Sequence, residues 1–480
     1  MAEIMLKFTH VPRSMPDKRP AKQRASDFHE IYDGFSPDAA RSQASRCSQC
    51  GVPFCQQGCP LANNIPDWLR LAADGRLEEA WRTSSATNNM PEICGRICPQ
   101  DRLCEGICTI EQSGHGTVTI GSIEKYITDT AWKEGWVTPI KPPRERKQSA
   151  GIVGAGPAGL AAAEQLRRKG YKVTVYDAYD RGGGLLVYGI PGFKLEKDVV
   201  ERRIRYLEDS GVKFKFKTRI GEKVTLQKLR DSHDSVLIAT GVYAAKDLKC
   251  PGVGSEGVFA ALDYLTASNR KSFGDAVPDF DSGALDAKDK KVVVIGGGDT
   301  AMDCVRTAIR QGAKSVTCLY RRDRANMPGS QREVQNAEEE GVVFEWLANP
   351  DAILDSKGKA KAVRAGKMKL GEPDASGRQS PVKTGETFDV KADMVIKALG
   401  FDPEDLPALF EEPALAVNRW GAIKVDYRTM ETSLPGVYAA GDIVRGASLV
   451  VWAIKDGRDA AEAMHKAMKA AEAAAKVAAE

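Results

Sequence analysis

The chain has no apolar run approaching the roughly 18–20 residues that a membrane-spanning helix needs, so no membrane is expected among its partners. Its opening stretch, Met1 to Pro20, is charged and carries no signal-peptide apolar core. A large excess of either charge is lacking as well. Lys and Arg number 69 against 65 Asp and Glu, a net +4, which argues for no nucleic-acid partner. No internal repeat is visible beyond two glycine-rich units described below. These absences predict a cytoplasmic protein, where reducing conditions favour metal or cluster ligation over disulfides. What remains is a globular α/β composition: 480 residues, 42% hydrophobic, with 45 glycines. That is enough chain for about three domains.

Eight of the eleven cysteines lie between Cys47 and Cys108. The first group reads Cys47-x2-Cys50-x4-Cys55-x3-Cys59-Pro60. The second reads Cys94-x3-Cys98-Pro99-x4-Cys104-x3-Cys108. This is nearly the pattern of a two-cluster ferredoxin, in which the cysteine before proline ligates the other cluster. By that logic Cys47, Cys50 and Cys55 hold one iron–sulfur cluster and Cys59 reaches a second. A zinc-bearing scaffold fits poorly, because zinc sites favour paired C-x2-C knuckles. A disulfide reductase would need a C-x-x-C or similar pair near a flavin, whereas Cys250, Cys304 and Cys318 are isolated.

Helix-like apolar spacing is predicted for Asp27 to Tyr32 and for Ile65 to Trp81, with the cysteine groups in loops. The proline-bearing stretch Lys141–Lys147 reads as a linker. A strand at Ser149–Val153 then leads into Gly154-Ala155-Gly156-Pro157-Ala158-Gly159 and an Ala-rich helix. The first glycine allows the turn, the second lets backbone approach a pyrophosphate, and the third allows close helix–strand packing. The next strand, Lys172–Tyr176, ends in Asp177, placed to accept from a ribose hydroxyl. A second unit follows the strand Lys291–Ile295: Gly296-Gly297-Gly298-Asp299-Thr300-Ala301. Its next strand, Ser315–Tyr320, ends in Arg321-Arg322 where the acid would sit. Arginine there favours a 2′-phosphate, hence NADPH over NADH. Lys271 to Asp289 is polar and turn-rich, a plausible crossing between domains. Asp355 to Thr387 reads as β-hairpins, Gly436–Ala440 as a strand, and Asp459 to Glu480 as a peripheral helix.

Arg181-Gly182-Gly183-Gly184-Leu185, Ala239-Thr240-Gly241 and Tyr438-Ala439-Ala440-Gly441-Asp442 match two-dinucleotide flavoproteins such as adrenodoxin reductase. That resemblance implies FAD at the first site and NADPH at the second. FAD would be bound by Gly154, Ala155, Gly156, Pro157, Ala158, Gly159, Asp177, Arg181, Gly183, Leu185, Thr240, Gly241, Gly441 and Asp442. Trp452 would face the isoalloxazine. NADPH would be bound by Gly296, Gly297, Gly298, Asp299, Thr300, Ala301, Arg321, Arg322 and Gly400. The expected fold is α/β: two Rossmann-like, adrenodoxin-reductase-like domains preceded by a mostly α-helical iron–sulfur domain. The expected boundaries are 1–145 for the cluster domain, 146–280 with 402–480 for a discontinuous FAD domain, and 281–401 for the inserted NADPH domain.

The whole order of motifs, with Cys104-Glu105-Gly106-Ile107-Cys108 and Tyr188-Gly189-Ile190-Pro191, resembles the small subunits of bacterial NADPH-dependent glutamate synthases. The same module occurs in dihydropyrimidine dehydrogenase and in NADPH:ferredoxin-type flavoprotein subunits. The resemblance implies an NADPH-dependent oxidoreductase with FAD and two 4Fe-4S clusters. No side chain is assigned a general acid or base role, since the chemistry is hydride transfer between cofactors. It also implies a hetro-oligomeric partnership, that is, a hetero-oligomer with a large subunit that makes glutamate from glutamine and 2-oxoglutarate. The cysteine nucleophile of glutamine hydrolysis is expected on that partner, since this chain begins Met1-Ala2-Glu3. The alternative is an NADPH:ferredoxin-type oxidoreductase subunit with another flavoprotein partner. The ligand sets implied are Cys47, Cys50, Cys55 and Cys108 for one cluster, and Cys59, Cys98 and Cys104 for the other. Its fourth ligand is open between Cys94 and Glu124, the latter matching the position of a glutamine ligand in the dehydrogenase.

Overall fold

The computed structural model describes residues 5–374, 377 and 379–479. Met1-Ala2-Glu3, and residues 375, 376 and 378 of the expected hairpins, lie outside them. The N-terminal part is helical. Pro37–Ala44 begins at Ser36, whose hydroxyl accepts from the Ala39 N–H, an N-cap with proline in the first turn. Ile65–Ala73, Leu77–Thr87, Pro91–Ile97 and Ile120–Lys133 follow and bury Trp68, Leu69, Ile123 and Ile127 together. The Trp68 indole N–H donates to Asn63 Oδ1 at 2.8 Å, so the ring is buried without an unmet donor.

Two helix expectations change. The Ile65–Trp81 pattern is two helices, broken where Gly75 takes φ +77, a conformation glycine adopts without strain. Asp27–Tyr32 is irregular and not helical: Tyr32 bridges Lys18, and the Arg19 N–H donates to Ile31 O at 3.0 Å. Ile31 is buried and the Phe28 ring lies 6.2 Å from that of Phe193. Docking on the rest of the molecule, and no helical face, explains their apolar spacing.

The first sheet is parallel, with strand order 437–439, 235–238, 149–153, 172–176, 213–215. Its central strands are near-continuous apolar runs, as covering on both faces requires. The chain leaves after Ile238 and returns only for Val437–Ala439. On the way out Ala244–Ala245 pairs antiparallel with Phe401–Asp402 on the way back.

Between those crossings lies a second parallel sheet, ordered 258–260, 394–397, 291–295, 315–320, 343–346. It therefore begins at Val258, ahead of the boundary expected at 281. The helix Ala261–Ser272 buries Tyr264 and Leu265 in this second core, which also holds Leu285 and Ala287. Lys271–Asp289 is thus a surface excursion of the second unit. Its polarity reflects exposure and not a passage between domains. Ala348–Ser356, Lys359–Pro373 and Gln379–Lys391 form an antiparallel three-stranded sheet, the hairpins expected there.

The C-terminal helix runs from Val450 to Ala479 without interruption. The expectation that it is peripheral from Asp459 is corrected: Ala460, Ala461, Met464 and Met468 are buried in the core shared with Pro157–Arg168. Gly457 permits that approach, because a Cβ there would lie 2.1 Å from Ala158 O. Among the described residues no helix is long and apolar enough to cross a membrane.

Candidate cofactor and cluster sites

After Ser149–Val153 the chain turns at Gly154, φ +109, where a Cβ would meet Ala239 O at 2.3 Å. A Cβ on Gly159 would lie 1.9 Å from Gly154 O, whereas one on Gly156 would meet nothing within 4 Å. Two glycines are therefore needed for packing, and the third leaves open space at the first turn of Pro157–Arg168. Unpaired N–H groups gather at such a turn and suit a phosphate.

This turn opens into a cleft of about 310 Å³. Gly154, Gly156, Pro157, Ala158, Asp177, Leu185, Thr240, Gly241 and Asp442 line it. Asp177 accepts from the Ala155 and Tyr179 N–H groups at 2.6 and 2.8 Å, and burial pushes its carboxyl above the usual range. Burial also pushes Asp442 up, to about 6. Thr240 Oγ1 is buried without a hydrogen-bond partner among the described residues. A buried hydroxyl left unmet is costly unless a bound group completes it, and a dinucleotide in the cleft supplies donors and acceptors. The site fits FAD.

Other expected residues serve this site from behind or not at all. The Gly183 N–H donates to Ala155 O at 2.8 Å, and Gly441, φ +81, lies against Ala158. Arg181 is engaged elsewhere: both its terminal nitrogens reach Asp275 at 2.8 Å, and its guanidinium sits 4.5 Å from the Phe273 ring centre. Trp452 is not among the lining residues, although Val450 and Ala453 are. Its ring lies under Arg445 at 4.5 Å. Helix phase explains the difference, since positions 450 and 453 share a face that 452 does not.

The second turn has the same logic. Gly296 takes φ +151, with a Cβ excluded by Ala398 O at 2.2 Å, and Gly297 abuts the Tyr320 ring. Gly298 again faces open space, and Ala301 is buried in the core. Asp299 and Thr300 line the same cleft as the first site, so the two dinucleotide turns share one cavity. Arg321 is exposed; Arg322 is partly buried, and its Nε has no hydrogen-bond partner among the described residues. Gly400, φ +94, lies in the crossing strands, where its carbonyl accepts from the Lys246 N–H at 3.0 Å.

The sequence did not single out Lys194, Asp303, Tyr243, Ser330 or Arg332, all of which line the cleft. Lys194 of the first unit lies 2.9 Å from Asp303 of the second. A helical offset of four from Asp299 could have indicated Asp303. Lys194 follows the Tyr188–Pro191 motif and carries no periodic signal.

The eight clustered cysteines fall into two sets. Burial pushes Cys47 up, and Cys55 up to about 12, with Cys47, Cys50 and Cys108 acting on Cys55 as neighbours. Around a second void, of about 30 Å³, stand Cys59, Cys94, Cys98, Cys104 and Glu124. Burial pushes Cys59 up to about 11 and Glu124 up to about 8. Among the described residues no three such side chains meet closely enough for a single metal ion. Sulfurs ringing a void suit a cluster core, whose iron charge compensates thiolates in an apolar setting.

Residues 24–136 match the model described as dihydropyrimidine dehydrogenase domain II, 4Fe-4S cluster. Residues 149–470 match that for pyridine nucleotide-disulphide oxidoreductases. The chain is 64% identical over 478 residues to the glutamate synthase (NADPH) small chain of Azospirillum brasilense, covering 99% of each. It belongs to the glutamate synthase (NADPH) small chain family. The Escherichia coli small chain is 44% identical over 96% of this chain and 98% of its own. The putative oxidoreductase AegA of the same species is 45% identical, over 94% of this chain and 69% of AegA. Mycobacterium tuberculosis FprA, solved with NADPH, shares the fold at a TM-score of 0.58 and 22% identity, over 69% of this chain and 86% of its own. As a family member the chain is an NADPH-dependent flavin oxidoreductase carrying FAD and a 4Fe-4S domain.

Proposed function

We propose that this chain is the electron-input subunit of a glutamate synthase. It oxidises NADPH at FAD and delivers electrons, by way of two 4Fe-4S clusters, to a large subunit that forms glutamate from glutamine and 2-oxoglutarate. The observation that carries this reading is Cys98, which lines both the dinucleotide cleft and the thiol-ringed void. FAD supplies acceptance of an electron pair from NADPH, and the clusters supply one-electron conduction.

The chain's residues divide the work. Gly156 and Gly298 keep each helix N-terminus open to a pyrophosphate, and Asp177 offers a carboxylate to the FAD ribose. Arg321 and Arg322 offer guanidinium groups to the 2′-phosphate of NADPH. Cys47, Cys50, Cys55 and Cys108 hold the outer cluster. Val52 and Phe54, exposed within its loop, support delivery to a partner there, because large exposed apolar side chains favour a covering surface.

Cys59, Cys98 and Cys104 hold the inner cluster, with Glu124 as fourth ligand. Among the described residues, the buried carboxyl of Glu124 accepts hydrogen bonds only from neutral Ser84 and Asn88, at 3.1 and 3.3 Å. The other charge acting on it is the carboxylate of Glu92. Without a cation, burial favours the protonated form of this carboxyl, and cluster iron would supply the cation that its ionised form needs. Cys94 needs none, since a thiol packs as a small apolar group.

The test is anaerobic purification of the chain with its co-purifying partner, followed by assay of NADPH oxidation. The proposal expects a much larger subunit and a rate requiring both glutamine and 2-oxoglutarate. NADPH oxidation that ignores both and requires ferredoxin would overturn the glutamate synthase assignment.

A further inference from the structure

The second dinucleotide turn carries a charge that the first does not. Pro157 opens the helix after Gly156, whereas the matching position after Gly298 is Asp299. A carboxylate in a helix's first turn is favourable alone. Beside an arriving pyrophosphate it is a like charge within a few ångströms and weakens binding. One oxygen of Asp299 accepts from the Ser330 N–H at 3.0 Å. The other lies 3.3 Å from Arg102 Nη2.

Arg102 comes from the cluster unit, in the loop between Cys98 and Cys104. It is held by donation from Nη1 to Pro328 O at 2.5 Å. Its loop neighbours grip the same surface: Gln100 Oε1 accepts from Arg332 at 3.0 Å, and the Ser330 hydroxyl lies 3.5 Å from Asp101. Arg102 remains partly exposed and does not itself line the cleft, so it acts there through Asp299, which does. The charged groups around the turn include Arg102, Arg332 and Lys194 against Asp101, Asp299, Asp303 and Glu333, and of the cations only Arg102 is in ion-pair contact with Asp299 among the described residues.

Resting on the NADPH assignment of that turn, we propose that Arg102 is a positioning residue for the pyridine nucleotide. It neutralises Asp299 and so restores the anion site for the pyrophosphate. A residue between two cluster ligands thereby tunes nucleotide affinity.

The test is calorimetric titration of the FAD- and cluster-loaded chain with NADP⁺ and with ADP-ribose, which keeps the pyrophosphate but lacks the 2′-phosphate and nicotinamide. Arg102→Gln, with iron and FAD content unchanged, is expected to weaken both ligands about tenfold, the scale of a charge-assisted contact. Asp299→Asn alone is expected to bind both as tightly as the parent or tighter. Added to Arg102→Gln, it should recover most of the loss. Arg102→Gln binding within about twofold of the parent overturns the proposal, on the same scale. So does Asp299→Asn weakening binding as much as Arg102→Gln, which would make Arg102 only a clip on the loop. If Arg102→Gln sheds iron, Asp299→Asn decides alone: weaker binding refutes neutralisation. Gly298→Val separates the two levels. Intact NADP⁺ binding in that variant would remove the NADPH site itself, whereas abolished binding with a silent Arg102→Gln removes only the role of Arg102.

Discussion

At the scale of single residues, Arg321 and Arg322 follow the strand Ser315–Tyr320, at the position where Asp177 follows the matching strand of the first unit. With one guanidinium exposed and the other holding an unmet Nε, they are available to a 2′-phosphate. Replacing both with alanine should raise KM for NADPH at least about tenfold while changing KM for NADH little, since charge-assisted contacts to phosphate are lost only with NADPH. Steady-state kinetics with both nucleotides checks this, and equal changes would remove the 2′-phosphate argument. A second residue-scale outcome concerns the inner cluster. Glu124→Ala should lose iron and Cys94→Ala should retain it, as measured by iron content of anaerobically purified chain. The reverse result would make Cys94 the ligand. The sequence brought both residues forward because spacing and resemblance pointed to different donors. That Glu124 is a buried acid whose ionised form needs a cation depends on Ser84, Asn88 and Glu92, which are distant in the chain.

At the scale of elements, the one-turn helix Asp442–Arg445 aims a carboxylate at the cleft after a positive-φ glycine. Burial raises the Asp442 carboxyl to about 6, above the ordinary value near 4. The folded chain thus binds that proton more tightly than the unfolded chain. The cost of the charge is complete above about pH 6 and vanishes below about pH 4. Asp442→Asn should therefore stabilise the FAD-depleted chain at pH 7, by on the order of 2 kcal/mol. The gain should fade as pH falls to about 4, and FAD retention should weaken. Denaturant unfolding at pH 7 and pH 5 checks the sign; a gain that grows on acidification would refute it. Strands of this kind were plain in the sequence: Ser149–Val153, Lys172–Tyr176, Lys291–Ile295 and Ser315–Tyr320 were each expected at the bounds observed. Short apolar runs between glycine turns and helices leave little choice. Asp27–Tyr32 misled because its Phe28 packs against Phe193, far along the chain.

At the scale of the whole molecule, the clustered cysteines divide between two cores, and the inner set spans both. Cys47, Cys104 and Cys108 belong to the helical core with Trp68, whereas Cys94 and Cys98 share a core with the first sheet and the C-terminal helix. Cys55→Ala should therefore lose about half of the cluster iron, as expected for one of two clusters, and keep FAD. Cys98→Ala should lower iron and FAD together. Iron analysis and flavin absorbance on the same preparations check this. Loss of FAD in both variants would mean that the cores are not separable.

The sequence alone determined the local chemistry: cysteine spacing, two glycine turns, the acid after one strand and the arginine pair after the other. Each depends on residues close in the chain, where stereochemistry and charge act without knowledge of the fold. Only the tertiary structure decided what meets across distance. It moved the start of the second unit to Val258, withdrew Arg181 and Trp452 from the cleft, and brought Lys194 to Asp303 and Arg102 to Asp299. Those contacts arise from the packing of units against one another, and side-chain meetings of that kind leave no periodicity in the chain to read.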